Sequence, residues 1–246
     1  MKRVLILGGT GDASKLAAKL AKISDVEVIT SLAGRTQNPV TPAGIVRVGG
    51  FSGAEGLAEY IRAENINVLI DATHPYAAQI SFHAAAAANL CQIPHLMLVR
   101  PSWKPVCGDD WIDVDSVEAA VDLLPNIAKR VFLTVGRQQL AAFADLDNIW
   151  FLMRLIEPHG ADALVPPGKI LYGRGPFAVE NEYQLLQEYQ IDTLVSKNSG
   201  GDATYAKIIA ARQLGVKLVM VKRPATPPGE TVSVLEDALA WVMGNG

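Results

Sequence analysis

The stretch Val4-Leu5-Ile6-Leu7-Gly8-Gly9-Thr10-Gly11-Asp12-Ala13-Ser14 carries the fold. Four consecutive aliphatic residues with no polar alternation predict a strand buried on both faces, as in parallel sheets. The glycines let the chain turn tightly and bring its backbone close to a ligand. Leu16, Ala17, Leu20 and Ile23 then recur at helical spacing, which predicts a helix over Asp12–Lys22. Such a helix points free N–H groups and a positive dipole end at the turn, which suits a phosphate. The match to the dinucleotide pattern G-x-G-x-x-G is partial. Gly9 and Gly11 are in place, and Ser14 stands where the third glycine belongs. A βα turn with no ligand is the competing reading of the same residues.

Downstream the rhythm repeats. Val26–Thr30, Val46–Val48, Val68–Ile70 and His95–Val99 read as strands, with helices over Gly56–Glu64 and Tyr76–Asn89. Arg100–Val114 breaks the pattern with Pro101, Pro105 and Gly108 and reads as a linker. Beyond it, strands are predicted at Val131–Val135, Ile149–Met153, Ile170–Tyr172, Thr193–Val195 and Lys217–Val221. Helices are predicted at Ser116–Leu124, Val179–Tyr189, Ala203–Leu214 and Glu236–Met243. Buried-type strands alternating with helices predict an α/β chain. The expected architecture is two Rossmann-like, doubly wound parallel-sheet domains with a cleft between them. Residues 1–102 would form a dinucleotide-binding domain, 103–115 a linker and 116–246 a substrate domain.

Composition narrows the function. The 246 residues are 50% hydrophobic and 19% charged, which excludes a disordered chain. Two cysteines exclude a disulfide scaffold and suit a reducing compartment, so a cytoplasmic location is expected. A net charge of −3 argues against a nucleic-acid partner. The charge is uneven: residues 1–100 carry nine Lys/Arg against seven Asp/Glu, and the remainder thirteen against eighteen. No membrane partner is expected. The uncharged stretch Ala72–Val99 contains His74, Pro75, Gln79, His83 and Pro94, too much polarity for a lipid-facing helix. Only Val4–Leu7 follow Met1-Lys2-Arg3 before Gly8, too few for a signal-peptide core.

Chemistry-bearing residues collect at predicted strand ends, where open α/β sheets bind ligands. The segment after the second strand, Ser31-Leu32-Ala33-Gly34-Arg35-Thr36, has no carboxylate to hold a ribose 2′-hydroxyl. Ser31, Arg35 and Thr36 would instead meet a 2′-phosphate, which favours NADPH over NADH. Asp71-Ala72-Thr73-His74-Pro75-Tyr76 follows a strand; His74 reads as a proton donor, a substrate contact or a bonded loop histidine. Ser196-Lys197-Asn198-Ser199-Gly200-Gly201 offers side-chain and backbone donors for carboxylate or phosphate. Arg100, Arg137, Arg154, Arg174 and Arg223 stand directly after strands, and together they point to a polyanionic ligand. Each taken singly reads equally well as a surface ion pair.

Several chemistries are excluded. Cys91 and His95 are the one ligand-like spacing, and they flank a turn, so no metal is expected. There is no G-x-S-x-G elbow. None of the six tyrosines is followed four residues later by Lys, which removes the short-chain dehydrogenase pattern. Two other classes stay open beside an oxidoreductase: a non-catalytic NADPH-binding module, and a transferase using another nucleotide.

In order along nearly the whole chain, the motifs resemble one family. They are Leu7-Gly8-Gly9-Thr10, Ser31–Thr36, Val46-Arg47-Val48-Gly49-Gly50-Phe51, Asp71–Ala77, and Arg100-Pro101 with Trp103. The second half adds Phe132–Arg137, Arg174-Gly175-Pro176-Phe177, Ser196–Gly201 and Arg223-Pro224. The chain resembles the precorrin-6A and cobalt-precorrin-6A reductases of cobalamin biosynthesis. Asp12 stands where that family commonly carries a Glu, with a shorter reach. The resemblance implies NAD(P)H-dependent reduction of one double bond of an anionic tetrapyrrole, cobalt-containing or cobalt-free, to give precorrin-6B. It implies a cofactor site from Gly9, Thr10, Gly11, Asp12, Ser31, Arg35, Thr36, Gly50, Phe51, Thr73, His74 and Pro75. Arg100, Arg137, Arg174, Lys197, Asn198, Ser199, Gly200 and Gly201 would hold the substrate carboxylates. His74, Tyr76, Lys197 and water are the candidate proton donors, with no choice among them. Transient contact with neighbouring enzymes of the pathway is a further expectation.

Overall fold

A computed structural model describes residues 1–34, 41–160 and 162–245. In chain order, the first elements are β1 (Lys2–Leu7), α1 (Gly11–Leu20), β2 (Val26–Leu32), β3 (Ile45–Val48), α2 (Ala54–Ala63), β4 (Val68–Asp71), α3 (Ala78–Cys91) and β5 (His95–Leu98). Next come β6 (Trp111–Val114), α4 (Val117–Ile127), β7 (Arg130–Thr134), a 3₁₀ segment (Arg137–Phe143), β8 (Trp150–Leu155) and β9 (Gly168–Tyr172). The chain ends with α5 (Val179–Glu188), β10 (Thr193–Lys197), α6 (Ala206–Leu214), β11 (Lys217–Val221), β12 (Glu230–Val232) and α7 (Leu235–Gly244).

Two units result: Met1–Pro101 with Pro224–Gly246, and Ser102–Arg223. In the first, the sheet order is β12-β5-β4-β1-β2-β3 and every pairing is parallel. β1 is aliphatic because helices cover both its faces. Val4 and Ile6 pack with Leu16 and Leu20 of α1 and with Val242 of α7. Leu5 and Leu7 pack with Leu57 and Ile61 of α2 and with Ala84 of α3. Leu16 and Leu20 are wholly buried, and truncating either to Ala is expected to cost about 2–5 kcal/mol.

The second sheet runs β6-β11-β10-β7-β8-β9, again all parallel. Matched strand by strand, the two orders are the same. In the first sheet β1 lies between β2 and β4, and in the second β7 lies between β8 and β10. This reversal of winding direction opens a crevice at the carboxyl ends of those strands. The first crevice lies at Gly8–Thr10 and Ala72–His74, the second at Val135–Arg137 and Asn198–Gly201.

The predicted domain limits need correction at both ends. Residues 103–115 are not simply a linker, since Trp111–Val114 pairs with β11 of the second sheet. Residues 224–246 do not belong with 116–223, since Glu230–Val232 pairs with β5 of the first sheet. The two edge strands are therefore exchanged in the chain order. Each is short and partly polar, so neither carries the aliphatic run that marks the inner strands.

Candidate functional site

Thr10 organises the first crevice. As the N-cap of α1 it is extended, and its Oγ1 accepts from Ala13 N at 3.1 Å. The same hydroxyl donates to Ala72 O at 2.7 Å, tying the β1–α1 turn to the segment after β4. Gly9 has φ +102°, a conformation that only glycine adopts cheaply. Gly8 is required for another reason: a Cβ there would stand 2.8 Å from Thr30 Cγ2 on β2. Beside Gly9 and Gly11, apart from their chain neighbours and the helix's own backbone, no atom of the described residues lies within 4 Å of where a Cβ would be. The turn therefore leaves open space at the N-terminus of α1, with backbone donors beside it.

Across the crevice, buried Asp71 ends β4. Its Oδ1 accepts from Thr73 N at 3.0 Å and from Thr73 Oγ1 at 2.6 Å, which fixes the turn into His74. His74 Nδ1 accepts from Tyr76 N at 3.3 Å, so the neutral ring carries its proton on Nε2. The two rings lie 5.7 Å apart. Arg100 forms an ion pair with Asp12 at 3.7 Å.

At the ends of β2 and β3, the guanidinium of Arg47 is held on several sides. Nη1 donates to Ser31 Oγ at 3.2 Å and to Gly49 O at 2.6 Å, and Nη2 donates to Gly50 O at 2.6 Å. The group lies 3.8 Å from the Phe51 ring centroid and 5.0 Å from that of Tyr60.

In the second unit, Lys197 closes β10. Burial pulls its ammonium down from 10.5 to about 8. Lys207 of α6 is buried against the end of β7, where Nζ donates to Thr134 Oγ1 at 2.9 Å. Burial, helped by Arg154, pulls it to about 7. Both side-chain groups of Asn198 engage Trp103: Oδ1 accepts from Trp103 N at 2.8 Å and Nδ2 donates to Trp103 O at 2.9 Å. Arg223 Nε donates to Asn198 O at 2.7 Å. Gly200 and Gly201 follow with φ +69° and +71°, so this turn, like the first, depends on glycine.

The family model described as precorrin-6x reductase CbiJ/CobK matches residues 3–243. The chain belongs to the precorrin-6x reductase family. It is 51% identical over 244 residues to the precorrin-6A reductase of Rhodococcus erythropolis, with 98% of each chain covered. It is 30% identical to the cobalt-precorrin-6A reductase of Synechocystis, covering 92% of this chain and 90% of the relative. A solved CobK precorrin-6A reductase superposes with a TM-score of 0.94 at 39% identity, covering 100% of this chain and 98% of that one. Membership makes this an oxidoreductase of cobalamin biosynthesis and implies a nicotinamide cofactor.

The sequence-predicted residues fall into three groups in this reductase. Gly9, Thr10, Gly11, Asp12, Thr73, His74 and Pro75 come together around the first crevice, with Tyr76 behind His74. Ser31, Gly50 and Phe51 meet at Arg47. Lys197, Asn198, Ser199, Gly200 and Gly201 form the turn after β10. Arg137 begins the 3₁₀ segment and donates to Pro158 O at 2.8 Å. Arg174 is exposed in the loop after β9. Arg35 and Thr36 lie outside the described residues. Arg154 differs from the strand-exit reading. Its guanidinium makes two bonds to buried Glu182, at 2.8 and 2.9 Å, and lies 4.0 Å from the Phe177 ring, so it serves the interior. Sequence reasoning missed Arg47 and Lys207. Arg47 stands inside a quoted motif, but its bond to Ser31 is made on the neighbouring strand. Lys207 looks like an ordinary exposed helix lysine.

No helix among the described residues is long and apolar enough to cross a membrane. No cluster of three or more His, Cys, Asp or Glu side chains suited to a metal ion occurs among them.

Proposed function

We propose that this reductase uses NADPH to reduce one carbon–carbon double bond of precorrin-6A, giving precorrin-6B. The observation that carries the reading is the open glycine turn at the β1/β4 crevice in a chain of this family. The residues fit a dinucleotide: a Cβ-free cradle at Gly9 and Gly11, a capped helix N-terminus, and donors rather than carboxylates at the end of β2. Gly9, Thr10 and Gly11 would hold the pyrophosphate, and Thr73, His74 and Pro75 would line the nicotinamide. Bound there, the cofactor supplies a hydride to one carbon of the double bond.

A proton must reach the neighbouring carbon. The candidates to supply it are Lys197, His74, Tyr76 and water. Burial pulls the Lys197 ammonium from 10.5 down to about 8, which brings it within the range a general acid can use. Arg137, Arg174, Ser199, Gly200 and Gly201 offer donors to the substrate's acetate and propionate groups. With its side-chain amide engaged by Trp103, Asn198 would act by shaping the turn.

The substrate we propose is cobalt-free. Relatives named precorrin-6A reductase are 39–51% identical to this chain, whereas those named cobalt-precorrin-6A reductase are 26–30% identical. Two cysteines in the whole chain support a reducing, cytoplasmic setting.

The test is a calorimetric titration of the wild type and of Arg35→Ala with NADPH and NADH. Tight NADPH binding, weakened in the variant, supports the cofactor and its 2′-phosphate contact. Equal binding of the two cofactors removes the preference for NADPH. Binding of neither removes the reductase reading of the glycine turn.

A further inference from the structure

We propose that Arg47 is a residue by which this protein distinguishes a 2′-phosphorylated adenosine nucleotide from an unphosphorylated one. The proposal rests on the dinucleotide reading above and adds a residue that the reading did not contain.

Three observations support it. The first is charge. Arg47 is half-buried and makes no ion pair with any carboxylate among the described residues. Its partners are two carbonyls, a hydroxyl and two ring faces, all of them formally neutral. A guanidinium taken partly out of water with no counter-charge is suited to an anionic ligand. The bonds named use both Nη1 hydrogens and one on Nη2. That leaves Nε–H and one Nη2–H to donate.

The second is position. Arg47 reaches from β3 to Ser31, and Ser31 ends the run of β2 that pairs with β1. In a doubly wound sheet of this order, the end of the second strand is where the adenosine ribose is read. The Ser31 hydroxyl accepts from Arg47, so its own proton can go to a further acceptor. A phosphate on the ribose 2′-oxygen would then meet two donors fixed relative to each other.

The third is that the surrounding loop is built to hold the guanidinium still. Gly49 has φ +129°, and its N–H donates to Leu32 O at 2.8 Å. The Gly49 and Gly50 carbonyls are thereby turned onto Arg47. Phe51 packs beneath it, edge-to-face with Tyr60. A Cβ on Gly56 would stand only 1.8 Å from Phe51 O, so α2 seats that carbonyl directly on its first turn. Such a placement limits the entropy lost when an anion binds.

The experiment titrates the full chain with two probe pairs, NADPH against NADH and adenosine 2′,5′-bisphosphate against adenosine 5′-monophosphate. The variants are Arg47→Met and Arg47→Lys, with thermal unfolding to confirm that each is folded. The expected wild type prefers the 2′-phosphorylated member of each pair. Arg47→Met should weaken that member roughly 10- to 100-fold, as expected for a lost charge-assisted bond, while moving the other less than about threefold. Arg47→Lys should recover part of the preference. Equal weakening of both members would make Arg47 a prop for its loop and overturn the proposal. An unchanged preference in Arg47→Met, or none in the wild type, would overturn it too. A wild type that binds no nucleotide would overturn the dinucleotide reading itself, a result distinct from the others.

Discussion

The Thr10 hydroxyl gives its proton to the Ala72 carbonyl at 2.7 Å, which joins the first strand of the first sheet to the fourth across the crevice. The same oxygen caps α1. One side chain therefore sets both the helix N-terminus and the width of the opening. Thr10→Val keeps the shape but loses both bonds. The expected cost is about 1–2 kcal/mol in urea unfolding, together with weaker nucleotide binding. A variant as stable as the wild type would remove Thr10 from this role.

The glycines of the turn should separate cleanly. Gly8→Ala puts a Cβ 2.8 Å from Thr30 Cγ2, so it should destabilise the protein. Gly11→Ala meets no neighbour and needs no left-handed backbone. At the start of a helix it should be neutral or stabilising by up to about 1 kcal/mol. It should nevertheless weaken NADPH at least about tenfold by filling the cradle, a loss of about 1.4 kcal/mol in binding. Unchanged affinity in Gly11→Ala would move the pyrophosphate elsewhere.

Much of the fold was legible because parallel strands covered on both faces must be continuous aliphatic runs, as Val4–Leu7 and Leu218–Val221 are. What was not legible is membership of a sheet. Glu230-Thr231-Val232 is only three residues long, and nothing local says that it lies beside β5. The glycine turn was readable from its residues alone. The roles of the arginines were not, since Arg137 and Arg154 carry the same strand-exit signal. Arg154 is distinguished only by Glu182, 28 residues away on a helix whose first turn reads as acidic and solvated.

That pair gives a stability prediction. Glu182 is 1% exposed and holds Arg154 by two bonds. Removing one partner of a buried pair leaves an uncompensated charge, so Glu182→Ala should cost about 3–5 kcal/mol. A loss below about 1 kcal/mol, the range of surface pairs, would show that Arg154 finds another partner.

Lys207 should make stability depend on pH. Its folded value is about 7, below the ordinary 10.5, so the unfolded chain binds more protons between the two. Stability therefore rises as pH climbs from about 7 toward 10.5. Urea unfolding should show this rise in the wild type and a smaller one in Lys207→Met. Parallel curves for the two proteins would contradict the assignment.

If Lys197 delivers the proton, its protonated form is the active one. The rate should then fall as pH rises through about 8, and Lys197→Gln should lose at least about 10²-fold in kcat. A flat profile across that pH would return the role to His74, Tyr76 or water.

Hydride transfer from a nicotinamide to the macrocycle can be read by isotope labelling. The protein is incubated with precorrin-6A and NADPH deuterated at nicotinamide C4 in either configuration, and the product is weighed by mass spectrometry. One deuterium is expected in the reduced macrocycle from one of the two labelled cofactors and none from the other. A reduced product free of deuterium from both, or no reduction with cofactor present, would contradict hydride transfer.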